Sequence, residues 1–109
     1  MSFREPTVIH VIATIRLVPG TRAAFLAEFH KLVPFVLAED GCLAYAPTVD
    51  EPLGLAVQEL AGEDVVVVVE QWASPAALAA HTAAPHMADY RVAVKDYVRG
   101  VSLLVLRPA

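Results

Sequence analysis

A chain of 109 residues, 57% hydrophobic and only 18% charged, is sized for a single domain spanning 1–109 around one core. Its formal charge of -4, with no basic cluster, argues against nucleic acid or an anionic membrane as a partner. A domain this small buries only about 60–70% of the surface its unfolded chain exposes, so a chain this apolar is expected to leave greasy surface for a partner.

The opening MSFREPTVIH has no apolar run followed by a small-residue cleavage site, which makes the cytoplasm the expected location. TVIHVIATIRLV at 7–18 is rich in β-branched residues and stops at Pro19-Gly20, a strand closed by a turn. Thr21 can cap a helix, along which Phe25, Leu26, Phe29, Leu32, Val33, Val36 and Leu37 recur at helical spacing until Gly41. Pro34 lacks a backbone donor, so a kink or break is expected there. CLAYAPTV at 42–49 reads as a strand. Its Cys42, the single cysteine, can form no internal disulfide and has no basic neighbour to activate it. DEPLGLAVQELAGED at 50–64 is a long connection. The run VVVVV at 65–69 is far below the ~18 residues of a membrane span and continues to Trp72 as a strand. Ser74-Pro75 starts a helix, Ser supplying the capping oxygen and Pro occupying the first turn. Pro85 disfavours helical geometry at Ala84, so a second segment is expected to restart there and run to about Arg99, stopped by Gly100. VSLLVL at 101–106 is the last strand.

The order strand, helix, strand, strand, helix, strand is the α+β, ferredoxin-like βαββαβ arrangement: a four-stranded antiparallel sheet with helices on one face. A sheet covered on one side should alternate apolar with polar, yet VVVVV and LLVL are apolar on both parities. The uncovered face is therefore expected to meet a second copy, sheet to sheet, in a homodimer.

Chemistry concentrates in EQWASPAALAAHTAAPHMADYR at 70–91. Trp72 could wall a pocket and offer its N–H to a ligand, or anchor the core. Glu70, two residues earlier on the same face, would have a raised pKa if it points inward; otherwise it meets solvent. His81 falls in the last turn of its helix, suited either to the dipole and the final carbonyls or to general acid–base work. His86 and Tyr90 share a helix face with Arg91 beside them, as a solvated face or as contacts to a ligand. His81, His86, Glu70 and Asp89 are not expected to hold a metal, because the H-x4-H spacing is no helical pair and Pro85 divides the two histidines. His10, in the opposite parity to Ala13, is expected to face the subunit contact. No phosphate loop or dinucleotide fingerprint occurs.

Together, PG-T at 19–21, EDGCLAY at 39–45, VVEQW at 68–72, ALAAH at 77–81 and APHM at 84–87 resemble the antibiotic biosynthesis monooxygenase family, particularly its quinol monooxygenase-like branch, over nearly the whole chain. The resemblance implies a dimeric α+β barrel. It also implies oxidation of a small quinol, phenol or related aromatic by O2 without metal or flavin, the deprotonated substrate itself giving an electron to O2. It puts Trp72 in the pocket wall and His81 at the proton, with His86 and Arg91 near the mouth or the anion. His81, Trp72 and Arg91 are thus the catalytic candidates, and Glu70, His86 and Tyr90 the substrate-binding ones. Where heme-degrading relatives carry Asn, Trp and His, this chain has Ala13, His81 and Arg91, which argues against heme. The segment 52–64 is a candidate to line or lid the pocket. The alternatives on this scaffold are an isomerase or lyase that uses no oxygen, or an aromatic-binding protein without turnover.

Overall fold

The computed structural model describes residues 7–109; the first six positions of the opening read above for a leader lie outside the described residues. Seven elements follow in chain order: β1 (Ile9–Leu17), α1 (Arg22–Leu37), β2 (Cys42–Thr48), β3 (Val65–Trp72), α2 (Pro75–Thr82), α3 (Pro85–Val94) and β4 (Val98–Leu106). The strands form one sheet in the order β2-β3-β1-β4, every neighbour antiparallel. This is the expected ferredoxin-like order, with its second helix divided in two. No helix among the described residues is long and apolar enough to cross a membrane.

Strand parity decides what the helices cover. Ile9, Val11, Ala13, Ile15 and Leu17 of β1 and Val66, Val68, Glu70 and Trp72 of β3 point to the helical side and are buried. The α1 stripe closes on them through Phe25, Phe29, Leu32 and Val36. On the far side, Ile12, Thr14 and Val67 are half-buried, while Val69, Leu104 and Leu106 are exposed. His10 lies on that far face too, its Nδ1 3.3 Å from the Gln71 amide nitrogen. The strand β4 is exposed along both parities from Val101 to Leu106, so the helices leave one edge of their own side uncovered.

Several boundaries differ from expectation. The helix α1 continues through Pro34, which is exposed, so the carbonyl that loses its donor can turn to water. Thr21 does not cap it with its side chain; the Thr21 hydroxyl donates instead to the Val18 carbonyl at 2.7 Å. The helix α3 ends at Val94, well before Arg99, because the chain turns and enters β4 at Val98, paired with Leu17. Tyr97 accepts from Val18 N–H at 2.8 Å and ties that corner. Ser74 does cap α2, accepting from Ala77 N–H at 3.1 Å.

The connection 50–64 does not reach the space beneath the helices and neither lines nor lids it. It is folded upon itself: the Asp50 carboxylate accepts from Ala61 and Gly62 N–H at 2.9 and 2.8 Å, and the Gln58 amide bridges Leu53 N–H and the Glu51 carbonyl.

Gly41 fixes where α2 begins to matter for the site. It has φ +81, and a Cβ on it would stand 2.6 Å from the Ala77 Cβ, so α2 rests directly on the turn that follows α1. Ala73 N–H donates to the Gly41 carbonyl at 2.8 Å, locking the same two segments. The end of α1 and the whole of α2 are thereby held in one register.

Candidate active site

Beneath α2 and α3 lies a cavity of about 320 Å³. Its floor is Val11, Ala13, Ile15 and Val68; Phe29, Leu78 and Met87 descend from the helices; Val101 and Leu103 of β4 form the open side. Ala13 is the small residue in a row otherwise made of Ile, Val and Leu, and the space stands above it. Into this apolar enclosure project Glu70, His81, Tyr45, Thr82, Tyr90 and Arg91.

His81 is 4% exposed and packed between two aromatic rings: Trp72 at 4.6 Å between centroids and Tyr45 edge-on at 5.5 Å. Its Nδ1 donates to Glu39 Oε2 at 2.8 Å. The same carboxylate oxygen accepts from His86 Nε2, also at 2.8 Å. Among the described residues, His81 Nε2 has no protein partner, yet no buried side-chain nitrogen or oxygen is left unpaired, so that atom opens to the cavity its residue lines. Fixing one ring nitrogen on a carboxylate sets the tautomer, and in the neutral ring the other nitrogen is then a bare acceptor.

The resulting geometry sorts the six candidate residues. Glu70, His81, Tyr90 and Arg91 all line the cavity. Trp72 does not form its wall: fully buried, it stands behind His81 and Glu70, and its Nε1 donates to Glu70 Oε1 at 3.0 Å rather than to a ligand. His86 is not at the mouth either. It lines an adjoining groove of about 240 Å³ with Glu28, Lys31, Phe35, Asp89 and Tyr90, the last of which also lines the cavity, and its ring is joined to His81 through Glu39. Arg91 Nη2 donates to the Thr82 carbonyl at 3.0 Å, which holds the guanidinium over the end of α2. Tyr90 packs edge-on against Phe25 and Phe29, and burial pushes its hydroxyl pKa well up, so it acts as a neutral donor. Burial, with the charge of Glu70, does the same to Tyr45.

Sequence reading missed Glu39. The division by Pro85 was expected to keep His81 and His86 apart, but the turn at Ala83 and Ala84 between α2 and α3 brings both rings onto one oxygen. The available signal was positional: an acid just beyond the end of α1 faces the negative end of the helix dipole, an unfavourable place unless donors compensate. Two imidazoles supply them. The three side-chain atoms lie within 4.8 Å of one another and form a group able to hold a divalent ion, but separations of 2.8 Å to a shared oxygen are those of charge-assisted hydrogen bonds. Burial and the charges of Glu39 and Glu70 push the Cys42 thiol up, away from the thiolate form.

Known proteins resemble the chain over nearly its whole length. Residues 8–93 match the model of the family described as antibiotic biosynthesis monooxygenase. A protein of Escherichia coli (strain K12) named "Probable quinol monooxygenase YgiN" is 47% identical over 100 residues, covering 90% of this chain and 95% of the relative. Among solved structures, PA3566 from Pseudomonas aeruginosa superposes with a TM-score of 0.80 at 26% identity, covering 98% of this chain and 99% of the other. Rv0793 from Mycobacterium tuberculosis does so at 0.75 and 29%, covering 94% and 96%. The chain belongs to the antibiotic biosynthesis monooxygenase family.

Glu70 gives the site a measurable pH signature. Burial raises its pKa above the ordinary 4.5 and Glu39 adds to this; the Trp72 hydrogen bond and the charge of His81 oppose it without cancelling it. A carboxyl whose folded value exceeds its unfolded one binds the extra proton when native, so its contribution is full below pH ~4 and is lost as pH rises through the folded value. Glu70→Gln keeps an oxygen for Trp72 and removes the charge. Its thermal midpoint should match the parent near pH ~4 and exceed it in mildly alkaline buffer; a variant no more stable there contradicts this electrostatic reading.

Proposed function

We propose, starting from membership of that family, that the chain is a quinol monooxygenase in which His81 is the general base. The observation that carries this reading is the imidazole of His81, buried at the edge of an apolar cavity, anchored at Nδ1 by Glu39 and open at Nε2. The name of the Escherichia coli relative supports the substrate class.

The chemistry asks little of the protein. A phenolic O–H placed at His81 Nε2 gives up its proton, and the electron-rich anion transfers an electron to O2. The oxygen radical and the organic radical then combine at ring carbon. For a quinol the substrate supplies all four electrons: one oxygen atom ends in a hydroxylated quinone, the other in water, and no external reductant is consumed. Arg91 and the hydroxyl of Tyr90 are the groups able to steady the anion, since a charged donor and a neutral donor both line the cavity. Glu70 lines the cavity, and its carboxyl, pushed up by burial, can hydrogen-bond a second substrate hydroxyl. A volume of about 320 Å³ lies at the lower end of small-molecule sites, ~300–1,000 Å³, and favours one or two rings over a polycyclic substrate.

The working unit in this reading is a homodimer. Val69, Leu104 and Leu106 on the far face, and Val101, Leu103 and Val105 along the helical side of β4, are between 40% and 60% exposed, apolar surface on both sides of the β4 edge that a second copy would cover. Sedimentation at micromolar protein is expected to give a two-chain species; a stable single chain contradicts it.

Oxygen uptake over a panel of dihydroxyaromatics tests the chemistry. Consumption is expected to fall about 10²–10⁴-fold in His81→Ala, and one atom of ¹⁸O2 should appear in the product. Hydrogen peroxide in place of labelled product would mean simple dehydrogenation. Product formed equally well without oxygen would favour an isomerase or lyase, and saturable binding without turnover a carrier.

A further inference from the structure

The base reading leaves one atom unaccounted for. The proton taken by His81 Nε2 enters a ring that is 4% exposed, and the cavity in front of it is then filled by the reacting molecule. The ring must lose that proton before the next turnover, and its other nitrogen leads away from the cavity to Glu39.

We propose that Glu39 and His86 form a proton exit from the cavity to solvent, a role that rests on His81 being the base. The path is continuous. Glu39 Oε2 stands 2.8 Å from His81 Nδ1 and 2.8 Å from His86 Nε2, with side-chain exposure rising from 5% at His81 through 13% at Glu39 to 25% at His86. His86 lines the groove between α1 and α3, which adjoins the cavity at Tyr90, beside Phe35, whose ring centroid is 6.1 Å away. One end of the chain of groups is therefore dry and the other wet.

The steps balance without moving an electron. The substrate O–H proton goes to His81 Nε2, and the Nδ1 proton passes to Glu39 Oε2. From there it goes to His86 Nε2 once exchange with solvent through the groove has converted the resting ring, which donates from Nε2, to the tautomer protonated on Nδ1; the Nδ1 proton then leaves to water and the resting Nε2–H ring is restored. Using one carboxylate oxygen for both imidazoles keeps each transfer within a hydrogen bond. The charged and titratable groups facing this path are Glu70 and Tyr45 at His81, Cys42 near Glu39, and Glu28, Lys31 and Asp89 around the groove. Glu39 and His86 act through His81 and are positioning and relay residues.

A hydrogen bond that only holds the fold would change stability or KM; a relay makes kcat depend on an external proton carrier. The test is steady-state oxygen consumption of the parent, His86→Ala and His86→Gln at low and high imidazole concentration, with circular dichroism confirming that each variant folds. The relay predicts that at low imidazole both variants lose roughly tenfold in kcat, a small part of what a general base supplies, with KM unchanged. It further predicts recovery in high imidazole, while the parent responds little. A variant kcat that imidazole does not move, whether lowered or equal to the parent, overturns the relay and leaves His81 as base untouched. Full activity in His81→Ala, or no turnover by the parent, removes the base reading and the relay with it. Loss of parent activity on chelation, restored by Zn²⁺, would make the three residues a metal centre instead.

Discussion

One carboxylate oxygen, Glu39 Oε2, is the point on which the site turns. It collects an imidazole from α2 and another from α3 at the end of α1, so three helical segments converge on a single acceptor. The position is electrostatically awkward for an acid, because helix carbonyls point toward it, and two N–H donors remove the difficulty. What results is an imidazole with a fixed tautomer, clamped on its flat side by Trp72 and aimed at an apolar space. Trp72 in turn is held by Glu70, so the strand β3 contributes two linked residues: one stands behind the His81 ring, the other faces the cavity.

The cavity itself follows from a mismatch between sheet and helices. The helices lie over β2, β3 and β1, leaving the helical side of β4 open. With a small residue at Ala13 in the floor, the gap between Phe29, Leu78 and Met87 above and the strands below is not filled by side chains. Leucines and valines along β4 then border a space instead of a core. The same residues belong to the apolar surface that the proposed dimer would cover, which links assembly to closure of the site. Gly41 has a comparable double duty, since its lack of a Cβ lets α2 settle on the turn carrying Glu39 and so sets the distance between Glu39 and His81.

The architecture was largely legible in the sequence because it is written in local patterns. Alternation and turn residues mark the strands, Ser74-Pro75 marks α2, and Pro85 marks the division from α3. The two-sided greasiness of VVVVV correctly reads as a sheet whose far face is apolar. Local rules failed where tertiary pairing outweighed them: β4 begins at Val98 because β1 offers a pairing edge there, ending α3 early, and α1 passes through Pro34 because that position faces water. The site was half legible. His81, Glu70, Tyr90 and Arg91 could be picked by their density within one segment, whereas Glu39 lies 42 positions before His81 and no spacing rule connects them. Trp72 was placed on the right face but one layer too far forward, because parity gives a residue's side of the sheet and not what stands in front of it.

The central claim is that Glu39 dictates which nitrogen of His81 carries the proton. Long-range ¹H–¹⁵N correlation spectra of the imidazoles, recorded on the ligand-free protein where His81 is neutral, read this directly. The account predicts a protonated Nδ1 and a bare Nε2 for His81, with Glu39→Gln abolishing that preference. A His81 ring protonated at Nε2, or one whose tautomer is indifferent to residue 39, would contradict it.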